Sequence, residues 1–170
     1  MSAPDFRIEQ LGPPHNRAGF RCDIEALENY LHDQARQDAQ KGVAAVFVLT
    51  PDGRAIAGYY TLSQFSVTLE DIPPDTARRL PKYPDVPATL IGRLAMSDEH
   101  RGQGLGEKLL LDALQRCLVH SKEIASVAVV VDAKDDRAKS FYQKYGFLEL
   151  LGVPNRLFLP MKTIEQLFSN

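Results

Sequence analysis

The stretch that decides the fold is ATLIGRLAMSDEHRGQGLG, at residues 88–106. Its first nine residues, 88–96, form an apolar run of strand length, and three glycines follow at positions 102, 104 and 106. From residue 105 to 120 the leucines recur at helical spacing, so the glycine-rich loop opens a helix. Residues without a Cβ let backbone N–H groups crowd towards an anion at a helix N-terminus. The stretch therefore predicts a strand, a phosphate-binding loop and a helix, and the competing interpretation is a tight turn that merely tolerates glycine.

Two common phosphate-binding motifs do not fit this loop. The dinucleotide-binding fingerprint G-x-G-x-x-G needs one more residue in its second gap than GQGLG at 102–106 provides. The Walker loop requires Gly-Lys-Ser/Thr, whereas Gly106 is followed by Glu107. Neither a Rossmann nor a P-loop nucleotide site is expected.

Upstream of this stretch the chain predicts one strand, one amphipathic helix and a hairpin. The strand covers 5–11, and Asp23 is the expected N-cap of a helix that Gly42 closes. Its apolar positions are Ile24, Leu27, Leu31 and Ala35. Residues 43–49 and 55–66 follow as two strands around the turn residues 50–53, which predicts an antiparallel hairpin.

Downstream the elements alternate between helix and strand. A proline-rich excursion at 72–87 precedes the central stretch, with one or two helical turns at 75–80. A strand buried on both faces is expected at 127–132, a helix at 135–145 stopped by Gly146, short strands at 147–151 and 156–161, and a last helical turn. The order β-α-β-β-(α)-β-α-β-α-β-β indicates a mixed α/β fold.

Composition and charge also bear on the number of domains, the location and the kinds of ligand that are expected. A chain of 170 residues with 44% hydrophobic and 25% charged residues is expected to form one domain over 1–170. It carries no apolar run long enough to span a bilayer and no signal-peptide layout, so a cytoplasmic location is expected. Cys22 and Cys117 match no metal-ligand spacing and are expected to be free thiols, without structural zinc. The net charge is −2, which argues against a dedicated nucleic-acid binder, although residues 101–170 carry +2.

Residues 101–106, RGQGLG, match in full the motif Q/R-x-x-G-x-G/A of the GNAT superfamily of N-acetyltransferases, which the chain resembles. The strand IGRLAM at 91–96, the strand VAVVVDA at 127–133 and the segment AKSFYQKYGF at 138–147 follow the family's order. The resemblance spans nearly the whole chain. It implies a central mixed sheet of about six to seven strands flanked by about four helices, with the fourth and fifth strands splayed apart.

The resemblance also implies acetyl-CoA as co-substrate and no metal. Its pyrophosphate would lie on the backbone amides of the loop and the positive end of the following helix, and its pantetheine arm along the preceding strand, where an amide could polarise the thioester carbonyl. The implied contacts are Leu94, Ala95, Met96, Arg101, Gly102, Gln103, Gly104, Leu105 and Gly106.

Tyr142 matches the family's tyrosine that acts as general acid on the leaving CoA thiolate, and packing against the sheet is the competing interpretation. Tyr145 is expected only to pack. For the general base, Glu70, Asp98 and Glu99 are available, but no carboxylate lies within the predicted strand 88–96. An α-amino group, with a pKa of about 7.7–8.0 against about 10.4 for lysine, needs less help with deprotonation, so an α-amine or a similarly weak base is favoured as acceptor.

Within the family the chain is most similar to toxins of toxin–antitoxin pairs that acetylate the amino group of aminoacyl-tRNA. The similar segments are FRCD at 20–23 with Leu27 and 30–31 behind it, RRLPKYP at 78–84 and IGRLA at 91–95. This branch implies charged tRNA as substrate, a ribbon-helix-helix antitoxin and a homodimer. The tRNA would follow the basic residues Arg78, Arg79, Lys82, Arg93, Lys139 and Lys144.

Alternatives to the toxin remain at this point. The chain's pI of about 6.1 fits tRNA binding poorly, and Arg78, Arg79 and Lys82 could simply form a solvated loop face. The chain could instead be an acetyltransferase of small-molecule or peptide amines, or a non-catalytic CoA-binding module. A complete loop motif together with Tyr142 speaks against the last.

Overall fold

Seven strands and six α-helices make up the part of the chain that the computed structural model describes, residues 5–169. The strands are β1 (Arg7–Gln10), β2 (Ala45–Thr50), β3 (Gly58–Thr68), β4 (Asp85–Met96), β5 (Ala128–Asp132), β6 (Leu148–Glu149) and β7 (Arg156–Pro160). The helices are α1 (Glu25–Asn29), α2 (Ala35–Gln40), α3 (Pro74–Ala77), α4 (Leu105–His120), α5 (Asp136–Lys144) and α6 (Met161–Phe168). A π-helical segment, Tyr30–Gln34, joins α1 to α2.

The strands form one mixed sheet in the order β1-β2-β3-β4-β5-β7-β6. β2 and β3 pair antiparallel, as the hairpin prediction requires, and β4 and β5 pair parallel. That parallel ladder joins Thr89–Ile91 to Val129–Val131, and β4 continues beyond it to Met96. The sheet confirms the mixed α/β class and the predicted strand number, and the early end of the β4–β5 ladder is the expected splay.

The chain divides into two units, one of residues up to 63 with 92–113 and the other of 64–91 with 114 onward. In the first, an apolar cluster packs α1 and the π-helical segment on β2 and β3 through Leu27, Leu31, Val48 and Tyr59. In the second, the cluster includes Val67, Ile72, Val130 and Phe158. β3, β4 and α4 each contribute residues to both units. The single domain over 1–170 stays a prediction.

The predicted N-cap at Asp23 is wrong. α1 begins at Glu25 after Ile24, whose side chain makes no capping bond. The Asp23 carboxylate instead accepts from the Arg101 guanidinium, because a charged donor is a stronger partner for a carboxylate than a neutral amide. The entry to α1 is held by Glu28, whose carboxylate accepts the Cys22 N–H at 3.0 Å.

Several element boundaries differ from those expected. β4 begins at Asp85, so Pro87 lies inside the strand, where its carbonyl still accepts the Val127 N–H at 2.9 Å. The strand expected at 147–151 shrinks to Leu148–Glu149, and the last helical turn extends to the eight residues of α6. Strand 127–132 is observed at Ala128–Asp132 with its first four residues buried. Boundaries move because the ladder partner, rather than local propensity, decides where pairing stops.

Candidate active site

The glycine-rich loop turns twice through left-handed backbone before α4. Gly102 has φ 78° and Gly104 has φ 74°, conformations that other residues adopt only with strain. A Cβ built on either glycine would have no heavy atom within 4 Å, so this side of the loop is open. The Lys108 N–H bonds the Gly104 carbonyl at 3.3 Å, and the amides of the first turn of a helix have no intrahelical acceptor. The loop therefore presents N–H groups and the positive end of a sixteen-residue helix to an anion.

The end of β4 lies close to two other glycines, Gly58 on β3 and Gly106 in the loop. A Cβ on Gly58 would sit 2.7 Å from Met96 Sδ and 2.9 Å from the Ala95 carbonyl oxygen, which no side chain tolerates. A Cβ on Gly106 would be 3.7 Å from Met96 Cγ. Ser97 continues the anchoring, because its N–H donates to the Ala57 carbonyl at 2.8 Å. Of the predicted strand contacts Leu94, Ala95 and Met96, Met96 thus lies beside the loop and Ala95 lies against β3.

The Arg101 side chain has a structural role. Its guanidinium donates to Asp23 and, at 2.7 Å, to Asp98. This ties the loop to the segment before α1. The guanidinium is therefore engaged by two carboxylates, and the predicted contact of Arg101 through its backbone amide is unaffected.

Tyr142 lies on α5, whose N-terminus is capped by the Asp135 side chain accepting from the Ala138 N–H at 2.8 Å. The tyrosine is 7% exposed, and its ring centroid lies 5.4 Å from that of Phe141 and 5.4 Å from that of Phe147. Burial raises the pKa of the Tyr142 phenol above its ordinary value. The hydroxyl therefore stays protonated at neutral pH, the state in which it can donate a proton.

Tyr145 directly follows the last residue of α5, and its surroundings differ from those of Tyr142. It is half-buried, and its ring packs at 5.4 Å from Phe141, the contact expected for a packing residue. The two tyrosines share an aromatic neighbour, Phe141, but differ in burial.

The candidate carboxylates occupy three different environments. Asp98 is bound by Arg101. Glu99 lines a small cavity of about 130 Å³ together with Ser97 and His100, which are themselves joined at 2.7 Å. Glu70 lines a larger groove described next. Because β4 begins earlier than expected, it does hold one carboxylate, Asp85 at its first position, which accepts from the Thr68 hydroxyl at 3.3 Å.

The excursion between β3 and β4 borders a groove of about 870 Å³. Its walls are mainly apolar, with Arg78, Lys82, Glu70 and Asp85 among the lining. Backbone bonds brace it, including Leu69 N–H to the Pro84 carbonyl at 2.9 Å. The lining residues are Thr68, Leu69, Glu70, Ile72, Pro74, Ala77, Arg78, Lys82, Tyr83, Pro84, Asp85 and Leu151. No local sequence pattern predicts this groove, because Leu151 is distant in sequence from the excursion that it meets.

The six basic side chains that are predicted to contact tRNA lie in different surroundings. Arg78, Arg79 and Lys82 are exposed on the excursion, and Arg78 pairs with Asp75. On α5, Lys139 pairs with Glu149, while the Lys144 ammonium lies 5.8 Å from the Tyr145 ring centroid. Arg93 on β4 is half-buried, and its guanidinium carbon lies 3.6 Å from the centroid of the Tyr30 ring. The sequence places Tyr30 among the toxin-similar positions but does not predict its contact with Arg93, since stacking across two elements leaves no local pattern.

Within residues 5–169, no group of three or more His, Cys, Asp and Glu side chains is placed to hold a metal ion. Over the same range, no helix has the length and apolar content that crossing a membrane demands.

Known proteins similar to this chain share both its family and its fold. A family model described as "Acetyltransferase (GNAT) domain" matches residues 42–149. A probable toxin TacT of Sinorhizobium fredii is 32% identical over 169 residues, covering 94% of this chain and 93% of the relative. A tRNA-acetylating toxin of Mycobacterium tuberculosis is 34% identical over 151 residues, covering 89% of each.

Among solved structures, AtaT complexed with acetyl-methionyl-tRNAfMet superposes with a TM-score of 0.90 at 29% identity, covering 97% of this chain and 100% of that one. A tyrosine-to-phenylalanine variant of KacT gives 0.89 at 30%, covering 96% and 99%. A tyrosine-to-phenylalanine variant of AtaT, bound to acetyl-CoA and the C-terminus of the antitoxin AtaR, gives 0.83 at 27%, covering 98% and 99%.

Proposed function

Because this chain belongs to the GNAT acetyltransferase family, we propose that it transfers the acetyl group of acetyl-CoA to the α-amino group of aminoacyl-tRNA and so acts as a toxin that blocks translation. The observation that carries the proposal is the likeness to a tRNA-acetylating toxin, and to a probable toxin TacT, over at least 89% of each chain. The open glycine loop before α4 supplies the site that the reaction needs.

Acetyl-CoA supplies an acetyl group activated as a thioester. The amides of Arg101, Gly102, Gln103, Gly104, Leu105 and Gly106 bind its pyrophosphate, because Gly102 and Gly104 leave one side of the loop open and the first amides of α4 have no intrahelical acceptor. Leu94, Ala95 and Met96 lie on β4 beyond the last residue paired with β5. Their backbone is the edge along which the pantetheine arm pairs, and an amide there can polarise the thioester carbonyl.

Tyr142 acts as the general acid. The amine nitrogen attacks the thioester carbonyl carbon, a C–N bond forms, and the C–S bond breaks with its electron pair on sulfur. The Tyr142 hydroxyl donates a proton to that thiolate, and the phenolate recovers a proton from water. The raised pKa of Tyr142 keeps this proton in place before the reaction.

The amine loses its proton to water rather than to a carboxylate. Asp98 is bound by Arg101, and residues 86–96 of β4 contain no acidic side chain. An α-amino group with a pKa of about 7.7–8.0 is substantially neutral near pH 7.5, so it can attack without a strong base.

The RNA follows basic side chains even though the chain as a whole is acidic. The exposed segment 73–84 carries three cations and one carboxylate, a local charge of +2 against −2 for the chain. Arg78, Arg79 and Lys82 contribute these cations, and Arg93, Lys139 and Lys144 are the other RNA contacts that we propose. A local field attracts a polyanion even when the net charge of the molecule is negative.

The partner is an antitoxin of the ribbon-helix-helix type, and the toxin works as a homodimer. The antitoxin-bound structure of the similar toxin AtaT supports an antitoxin partner. Sedimentation of the purified chain alone, and then with its antitoxin, tests both statements; a monomer at micromolar concentration would contradict the dimer.

The decisive experiment incubates the enzyme with labelled acetyl-CoA and total tRNA, charged and deacylated in parallel. Label is expected only in the charged pool. Charged tRNA whose α-amine is already formylated is the matched control, since it keeps the RNA and removes the acceptor, and it should stay unlabelled. Label in polyamines or protein lysines, with none in charged tRNA, would support a small-molecule or protein acetyltransferase instead.

A further inference from the structure

Arg93 and Tyr30 form a stacked pair between β4 and the π-helical segment. The Arg93 guanidinium carbon lies 3.6 Å from the Tyr30 ring centroid. At that distance the planar cation lies on the ring face, an arrangement that orients a guanidinium far better than an ammonium. Tyr30 is 7% exposed, whereas Arg93 is only half-buried. One face of the guanidinium is therefore covered by a fixed ring.

The Tyr30 side chain is held by two contacts, one at its hydroxyl and one at its ring. The Tyr30 hydroxyl donates to Asp38 at 2.8 Å, and Asp38 also accepts from the Gln34 amide at 2.9 Å. Behind it, Tyr59 stacks on Tyr30 with centroids 6.2 Å apart and an interplanar angle of 17°, and the Tyr59 hydroxyl donates to the Leu27 carbonyl at 2.6 Å. Tyr30 is thus a rigid support.

The π-helical turn keeps this support in place. Its Ala35 N–H bonds the Tyr30 carbonyl, one residue further back than in an α-helix. The Arg17 guanidinium satisfies the carbonyls of Leu31 and His32, at 3.4 and 2.8 Å. A π-helical turn interrupts the regular hydrogen-bond ladder and is found frequently at functional sites.

The donors of Arg93 remain available for a ligand. Within residues 5–169 the Arg93 guanidinium makes no ion pair or hydrogen bond, and its contact is the Tyr30 ring. Asp38, whose pKa is lowered mainly by Gln34 and also by Arg93, is already committed to Tyr30 and Gln34. By contrast, Arg78 and Lys139 each pair with a carboxylate. A guanidinium covered on one face offers its edge, with N–H groups in a plane, which matches a phosphate.

We propose that Tyr30 is a positioning residue that presents Arg93 to a backbone phosphate of the acceptor RNA. This inference rests on the proposed function and adds to it the contact that orients the RNA and the residue that prepares it. Arg93 binds the phosphate directly, and Tyr30 acts through Arg93.

The test measures binding of charged tRNA, without acetyl-CoA, over a range of salt concentrations. Arg93→Gln should weaken binding about tenfold or more, and should lower the slope of log affinity against log salt by about 0.7–0.9, the value for one lost phosphate contact. Tyr30→Leu leaves every charge in place, yet it should weaken binding by about 2- to 30-fold, because the guanidinium is no longer oriented. Tyr30→Phe keeps the ring and should bind within about twofold of wild type.

Arg156→Gln is the matched control, because Arg156 is also a half-buried arginine that lies over an aromatic ring, that of Phe65, but its guanidinium is already engaged by the Asp132 carboxylate. It should lower the melting temperature without changing the salt slope. If Arg93→Gln keeps the wild-type slope while charged tRNA is still acetylated, the inference alone is wrong. If wild-type enzyme acetylates no charged tRNA, the proposed function and the inference fall together.

Folding of the variants is checked separately by the rise in melting temperature with acetyl-CoA. Should Tyr30→Leu fail to fold, Arg93→Lys replaces it: the charge stays, the planar stacking is lost, and binding should weaken severalfold with little change in slope. Wild-type affinity in Arg93→Lys would overturn the positioning role of Tyr30.

Discussion

Replacing Tyr142 with phenylalanine removes one hydroxyl and leaves the ring. The ring contacts with Phe141 and Phe147, both at 5.4 Å between centroids, are kept, so the loss of stability should stay below about 1 kcal/mol. For a chain of this size that corresponds to at most about 2–4 °C in melting temperature. Loss of a general acid costs about 10²-fold or more in kcat, which is about 2.7 kcal/mol of transition-state stabilisation.

The assay is thiol release from acetyl-CoA with charged tRNA as acceptor, at saturating concentrations of both. Tyr142→Phe should lower kcat about 10²-fold and leave the acetyl-CoA concentration for half-maximal melting shift unchanged. Tyr145→Phe is the matched control: it makes the same chemical change on the same helix, beside the same Phe141, and should keep kcat within about twofold.

The pH dependence of kcat provides a second test of Tyr142. Burial raises the pKa of Tyr142 above its usual value near 10, so wild-type kcat should show no decline from loss of this proton below about pH 10. An unchanged kcat in Tyr142→Phe would refute the acid assignment. A large fall in melting temperature with an equal fall in acetyl-CoA binding would show instead that the hydroxyl is structural.

Three further predictions concern the loop, the excursion and the core. Acetyl-CoA at about 100 times its Kd should raise the melting temperature by about 5–10 °C, and Gly104→Glu should abolish the shift by placing a strained, negatively charged residue at φ 74°, as differential scanning fluorimetry would show. Arg78→Glu combined with Arg79→Glu should reduce labelling of charged tRNA while the acetyl-CoA shift persists; undiminished labelling would remove the excursion from the RNA path. Burial raises the pKa of Cys117 from about 9 to about 12, so the folded state holds this proton where the unfolded state has lost it. The free energy of unfolding should therefore fall above pH 9 by about 1.4 kcal/mol per pH unit from this thiol, and denaturant titrations of Cys117→Ala should lack that contribution.

Local patterns predicted the central strand-loop-helix accurately because its signals are short-range. Gly102 and Gly104 are demanded by backbone conformation, and the leucine spacing of residues 105–120 reproduces α4 to the residue. The Asp23 cap was wrong for a reason that no local pattern contains, since its competing partner, Arg101, lies 78 positions away in the chain. Lys139 is a second example: the sequence predicts it as an RNA contact, and in the structure it pairs with Glu149.

By itself the sequence determined the class of fold, the order of elements, the glycine loop and the candidate acid Tyr142, since each depends on neighbours within about a dozen residues or on a motif of fixed spacing. Tertiary structure alone decided which charged groups pair with one another and which lie on an aromatic ring. Arg93 illustrates the difference: in the sequence it is one of six equivalent cations, and only the packing of the π-helical segment on β4 places it on the Tyr30 ring. Stacking and ion pairing act between atoms a few ångströms apart in space. The separation of two residues along the chain does not determine that distance, because the distance depends on how the sheet brings the elements together.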